Sequence, residues 1–435
     1  MSRQMKDSGI EWIGEIPETW ELIRLCNVTD DIFLGRTPVY VEEENQNYIV
    51  GQKNNQYYGI DFSGIKYGDE EFYLSRPDKE FLKVGDTLLN TLGGGSVGRI
   101  GYWDVEDDNK YLTDGHLMVI RPCEHCWRRF LYYAMYSQQK KLEDDAVGST
   151  NQAFLTVTQV YKNLIAYTGL NEQKKIADFL DQQCAHIDAV IEKTKASIEE
   201  YKKLKQAVIT QAVTKGIRGD RPMKDSGMKW VKKIPADWYS INPKALFTQR
   251  KDKAFEGERQ LTASQQYGVI YQDEYMEITG TKVVTVEKDF NILKHVESGD
   301  FVISMRSFQG GLEYSENTGS ISSAYVMLIP NLELVYPRFY KWLLKSSVYI
   351  NALQSTSDLV RDGQAMRYSN FAQVRLYKVP LEEQVEIADY LDDECSKIDE
   401  LVKEKSLFLS EIENYKKSLI YEYVTGKKEV PQSCQ

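Results

Sequence analysis

The chain contains several stretches whose residue types and spacing could support chemistry, and each lacks a necessary part. Gly93-Gly94-Gly95-Ser96-Val97-Gly98 has the G-x-G-x-x-G spacing of a phosphate-cradling loop. Such a loop needs a helix directly after it, because the helix N–H groups and dipole hold the anion. The next residues, RIGYWDV, have a strand pattern, so the stretch reads as a tight glycine turn between two strands. Cys123-Glu124-His125-Cys126 offers half of a zinc site. Structural zinc takes four ligands, and with no second cysteine pair and only a distant His116 as helper, no metal site is predicted. Pro77-Asp78, Glu80 and Lys83 hint at a nuclease cluster, but the interval from Glu to Lys is wrong for a Glu-x-Lys pair. The four histidines (His116, His125, His186 and His295) show no Ser-His-Asp spacing. A Walker lysine loop is absent, as is the Asn-Pro-Pro-aromatic motif of an adenine methyltransferase. The expectation is a chain with no catalytic residue.

A second class of residue points to reading rather than reacting. Polar sets flanked by glycine recur in two parts of the chain. The first part offers Lys53, Asn54, Ser96, Arg99, Thr150, Asn151 and Gln152. The second offers Arg306, Ser307, Gln309, Ser323, Tyr325, Arg361, Gln364 and Arg367. Asn and Gln pair bidentately with adenine, Arg pairs with guanine, and glycine turns let backbone approach phosphates. Taken singly these are ordinary loop residues. As sets appearing once per part they predict a DNA-reading surface, with Lys53, Arg99 and Arg306 suited to phosphate contacts and salt-dependent affinity.

The elements that would position such sets are written twice. MKDSGIEWIGEIPETW from Met5 returns as MKDSGMKWVKKIPADW from Met223, with Trp12, Ile16, Pro17 and Trp20 repeated as Trp230, Ile234, Pro235 and Trp238. NEQKKIADFLDQQCAH at 171–186 returns as EEQVEIADYLDDECSK at 382–397. Internal repeats decide the architecture and are resolved first. Cys184, Ile187, Ile191, Thr194, Ile198 and Tyr201 are spaced alternately by three and four, as are Cys395, Ile398, Val402, Lys405, Leu409 and Ile412. That is a heptad seam free of proline, and it predicts two long helices of about 65–70 Å that pack on each other. The segments between them read as short strands and turns, with one helix near 128–142 and another near 337–353. The predicted order is a globular block at 1–170, a helix segment at 171–217, a second block at 218–381, a second helix segment at 382–427 and a polar tail at 428–435. The predicted class is α/β in the α+β sense, two mixed blocks on a duplicated helical frame.

Composition is compatible with this reading. At 435 residues, with 42% hydrophobic and 27% charged, the chain is long enough for two or three cores. No signal-peptide core or apolar run of membrane length occurs, and six sparse cysteines suggest no disulfide framework, so a cytoplasmic protein is expected. The net charge of −11 disfavours a nucleic-acid partner at first sight. However, residues 382–427 carry thirteen acids and six lysines, so this helix alone contributes 6 − 13 = −7. Beside the heptad seam of the two helices lie Phe179, Val190, Tyr390, Leu401 and Phe408, more apolar surface than a two-helix coil needs. Either the blocks fold onto it or helices of a partner do.

These repeated phrases, KDSGIEWIGEIPETW and Glu-Gln-x-x-Ile-Ala-Asp-x-Leu-Asp, in this order along the chain, resemble the specificity subunits of type I restriction-modification systems. The resemblance implies two target-recognition domains, each reading one half of a bipartite, asymmetric site in double-stranded DNA. It implies antiparallel helices that set the spacer between the halves and dock two modification subunits, with two restriction subunits in the full complex. S-adenosylmethionine, ATP and Mg would bind those partners, leaving this chain without a cofactor of its own. In the second phrase Lys229, Lys232 and Lys233 stand where the first has Glu11, Gly14 and Glu15, so unequal docking at the two ends is expected. The competing expectation is a coiled-coil scaffold that binds proteins and reads no DNA sequence.

Overall fold

A computed structural model describes residues 3–56, 59–148, 153–286, 292–304, 307–356 and 366–431. Contacts divide the chain into two compact units, residues 1–194 with 408–435, and residues 195–407. The divisions fall inside the two long helices, Leu170–Lys215 and Leu381–Val424. Within the first unit, the early part of one helix packs on the late part of the other. Cys184, Ile187 and Ile191 share a core with Leu419, Ile420 and Tyr423, and Lys416 Nζ reaches Asp188 at 2.6 Å. Within the second unit the roles reverse, with Ile209, Ala212 and Val213 beside Ile387, Ala388, Leu391 and Cys395, and Lys205 Nζ at 2.6 Å from Asp399. Each unit therefore holds an antiparallel helix pair. The heptad seam is buried from Cys184 through Ile198 in one helix and at Cys395 and Ile398 in the other, while Tyr201, Val402, Lys405, Leu409 and Ile412 are half-buried.

Each unit also builds a four-stranded antiparallel sheet in one strand order. In the first, the order is Ile100–Tyr102, Thr87–Asn90, Leu117–Pro122, Thr29–Leu34. In the second it is Glu313–Tyr314, Phe301–Ile303, Val326–Pro330, Phe247–Arg250. Alternate side chains of a strand leave by opposite faces, and here both faces are covered. Leu89, Met118 and Ile120 enter the core shared with the helices, while Leu88, Leu117 and Val119 pack with Val50, Trp103 and Tyr111. Phe301, Ile303 and Leu328 face the helices of the second unit, and Val302 and Met327 face Leu261, Val269, Val296 and Ile321. Double coverage explains why these strands read as unbroken apolar runs.

The helices expected near 128–142 and 337–353 are each two helices, Arg128–Tyr136 with Gln139–Asp145, and Pro337–Leu344 with Ser347–Gln354. A serine marks both breaks. The Ser137 hydroxyl donates to Ala134 O at 2.8 Å and that of Ser346 to Leu343 O at 2.7 Å, competing with the helical bonds. A glycine from a connection between two sheet strands presses on each break. A Cβ on Gly98 would lie 3.0 Å from Gln139 O, and one on Gly311 would lie 2.3 Å from Leu344 O. No helix among the described residues is long and apolar enough to cross a membrane.

Candidate nucleic-acid interface

The repeated helix-start motif is a clamp that fastens each block to its helix. The buried Trp20 indole donates to Glu172 Oε2 at 3.1 Å, and that of Trp238 donates to Glu383 Oε2 at 3.0 Å. Arg3 pairs with Glu172, and Arg221 pairs with Glu383. The next residue stitches the helix to the segment before it. Gln173 Oε1 accepts from Trp127 N at 2.8 Å, and Gln384 Oε1 accepts from Tyr336 N at 2.7 Å. The last aspartate of the motif closes the clamp. Asp181 accepts from Arg129 Nε at 2.8 Å and from the Tyr133 hydroxyl at 2.6 Å, and Asp392 accepts from Arg338 Nε at 2.9 Å and Trp342 Nε1 at 2.7 Å. Each Glu, Gln and final Asp of the motif thus has a fixed partner. The Arg129 and Arg338 guanidiniums are held further toward the charged form by these aspartates.

A second buried pair anchors the loops. Asp86 and Asp300, each 1% exposed, follow Gly85 and Gly299 in a left-handed turn (φ 103° and 104°) just before a sheet strand. Arg121 Nε meets Asp86 at 2.8 Å, and Arg250 Nε meets Asp300 at 2.6 Å. Burial pushes the Asp86 carboxyl up, opposed by its bonds to Arg121. The repeated Gly-Asp is visible in the sequence, whereas the arginines are not, because they come from different strands in the two units. The signal available was the paired Gly-Asp, since a buried carboxylate demands a cation.

Among the predicted DNA-contacting residues of the first block, Lys53, Asn54, Ser96 and Arg99 lie on loops between strands. Lys53 is exposed, and Arg99 is half-buried, donating to Asn55 O at 3.1 Å and Gln56 Oε1 at 3.0 Å. The glycine stretch connects two antiparallel strands, as its sequence predicts, with Gly98 N donating to Asn90 O at 2.9 Å. Asn54 is a correction. Its side chain is buried, accepting from Gly51 N at 2.9 Å and donating to Asp61 O at 2.8 Å, so it shapes the loop instead of facing outward. Ser96 likewise donates to Leu92 O at 2.9 Å within its turn. Thr150, Asn151 and Gln152 lie outside the described residues.

In the second block Gln309, Ser323 and Arg367 are exposed. Ser307 is a second correction, 1% exposed with its hydroxyl accepting from Ser304 N at 2.8 Å. Tyr325 is half-buried against the Val296–Met327 core, and its carbonyl accepts from Lys294 Nζ at 2.7 Å. Arg306, Arg361 and Gln364 lie outside the described residues. On the helices, Val190, Tyr390, Leu401 and Phe408 are 39–46% exposed. Phe179 is the third correction, because it is 8% exposed and packs on Tyr423 at a ring separation of 4.6 Å, so it belongs to the helix pair. Cys126 is buried, which pushes its thiol up, and no group of three metal-binding side chains gathers among the described residues.

Residues 17–200 match the family described as the type I restriction modification DNA specificity domain. Over 431 residues, 95% of both chains, it is 25% identical to a putative type I restriction enzyme MjaX specificity subunit of Methanocaldococcus jannaschii. Its fold is similar to a chain of a solved type I R-M system, with a TM-score of 0.67, 16% identity and coverage of 95% of this chain and 99% of that one. It is also similar to the HsdS subunit from Thermoanaerobacter tengcongensis, with a TM-score of 0.50, 16% identity and coverage of 95% and 98%. At these identities the structural likeness speaks for fold. The stretch that matches the family model runs from Pro17 through the first sheet and well into the first long helix.

Proposed function

We propose that this chain is the DNA sequence-specificity subunit of a type I restriction-modification complex. It carries out no catalysis itself and supplies the address for methylation and cleavage by other subunits. The observation behind this reading is one frame built twice around different loops. Clamp residues correspond one to one, while one block presents Lys53, Gln56 and Arg99 and the other presents Gln309, Ser323 and Arg367. A frame that repeats and loops that do not suit two unlike half-sites on one duplex.

In this reading the blocks at 1–170 and 218–381 each recognise one half of a bipartite site, and the long helices set the spacer. Phosphate contacts supply salt-dependent affinity, and base edges supply the sequence. The exposed Val190, Tyr390, Leu401 and Phe408 receive helices of two modification subunits, which bind S-adenosylmethionine. Two restriction subunits with ATP and Mg complete the assembly.

The test is to co-express the chain with its modification subunit and map N6-methyladenine in a host lacking other such systems. A split motif with a fixed gap is expected. Exchanging residues 218–381 for a relative's block should change one half of the motif only. A complex that forms and binds cofactor but methylates no defined motif would leave the coiled-coil scaffold as the better account.

A further inference from the structure

The two units contain the same turn at the same place in the sheet, with different side chains. In the first, Asp114-Gly115-His116 leads into the central strand Leu117–Pro122. Leu117 N donates to Asp114 O at 3.2 Å, and His116 N donates to Asp114 Oδ1 at 2.9 Å. In the second, Ser322-Ser323-Ala324 leads into the corresponding strand Val326–Pro330. Tyr325 N donates to Ser322 O at 3.0 Å, and Ala324 N donates to Ser322 Oγ at 3.3 Å. The second turn carries Ser323, a proposed DNA contact. The residues of the first turn are not among the predicted contacts.

Three other loops converge on the first turn. Asp114 N donates to Val50 O at 3.0 Å, joining it to the loop of Lys53. Thr91 donates to His116 O through both its N and its Oγ1, each at 3.0 Å, joining it to the glycine loop of Arg99. Glycines make the approach close enough. A Cβ on Gly35 would lie 2.2 Å from Asp114 O, one on Gly51 2.6 Å from Asp114 Oδ2, and one on Gly115 2.7 Å from Thr37 Oγ1. The backbone of 35–37 is thus fitted against the turn, with Gly35 N donating to Leu117 O at 3.1 Å and the Arg36 carbonyl carbon 3.7 Å from where a Cβ on Gly115 would lie. His116 is exposed, and the Arg36 side chain is 63% exposed with a long 3.6 Å contact to Glu80.

Resting on the specificity reading above, we propose that His116 and Arg36 contact bases in the half-site read by the first domain, as hydrogen-bond donors to the acceptor edge of guanine. Arginine matches guanine O6 and N7 bidentately, and an imidazole N–H can donate to either atom. The Asp114 carboxyl holds the backbone of the turn, accepting from His116 N at 2.9 Å, and burial pushes it up toward the neutral form.

The experiment uses the full chain in complex with its modification subunit and duplexes randomised at each position of the motif. His116→Ala and Arg36→Ala should each lose roughly 5- to 150-fold of discrimination at one base pair in one half-site. The other half should be unchanged, and the salt dependence of binding should match the parent. His116→Gln, which keeps a donor, should retain part of the preference. Both positions are exposed, so thermal melting should match the parent and separate a specificity loss from unfolding. An unchanged motif in all three variants overturns the proposal. So does a uniform loss across sequences with a salt slope lower by about one, the behaviour of a phosphate contact. A parent complex without any sequence preference would instead remove the specificity reading itself. A parent with a split motif shared by the variants removes only this assignment.

Discussion

The first and second units solve one problem with different residues. Both bury an aspartate in the turn before a sheet strand. In the first its arginine comes from the central strand, as Arg121, and in the second from the edge strand, as Arg250. The clamp shows the same latitude in degree. Glu383 is fully buried beneath Arg221, while the Glu172 side chain is 33% exposed beneath Arg3. Duplication has thus kept the bond and let its surroundings drift. What must persist is satisfaction of the buried carboxylate; the strand that delivers the cation is free to change.

The largest effect should come from breaking the more buried clamp. Glu383→Ala leaves Arg221 and the Trp238 indole without their acceptor and should cost about 3–5 kcal/mol. Glu172→Ala, with water able to replace the lost bonds, should cost about 1–2 kcal/mol. Urea denaturation of the two variants measures the difference, and equal losses would mean the two clamps are energetically alike.

Next comes the Arg–Asp pair. Arg121→Met strands the Asp86 charge and should cost about 3–5 kcal/mol at neutral pH. Burial already raises the Asp86 carboxyl in the parent, and the variant removes the opposing arginine. The folded state then favours the protonated acid, so the deficit should shrink as pH falls through the folded pKa and grow as pH rises through it. Melting curves of parent and variant across acidic to neutral pH check the sign.

Smaller effects should separate the loops by role. Gln309→Ala or Arg367→Ala should relax one base position by about 1–3 kcal/mol and leave stability alone, whereas Lys53→Ala should weaken binding to all sequences and reduce the salt slope by about one. Filter binding across a salt series distinguishes them. The smallest loss is expected at the helix pair, where Lys416→Ala and Lys205→Ala each remove an ion pair with an exposed aspartate and should cost under about 1 kcal/mol.

The frame is legible in the amino-acid sequence because it repeats. Identical Trp, Pro and Glu-Gln…Leu-Asp positions, 211 to 218 residues apart, mark the clamp, and the heptad spacing marks the helix pair. The loops are legible only as composition. The buried Ser307 has the same residue type as the exposed Ser323, and the buried Asn54 carries the same amide group as the exposed Gln309, since a polar side chain serves a backbone turn as readily as a ligand. Phe179 shows the same ambiguity for apolar residues, because only the placement of Tyr423 decides that it is covered.

By itself, then, the amino-acid sequence determined which elements exist and that they come in two copies, since periodicity and repetition are properties of the chain. Tertiary structure decided which strand brings an arginine to each buried aspartate, where the short helices break, and which loops meet at Asp114. Those outcomes depend on backbone approaches across dozens of residues, set by glycines whose missing Cβ atoms matter only once a neighbour arrives.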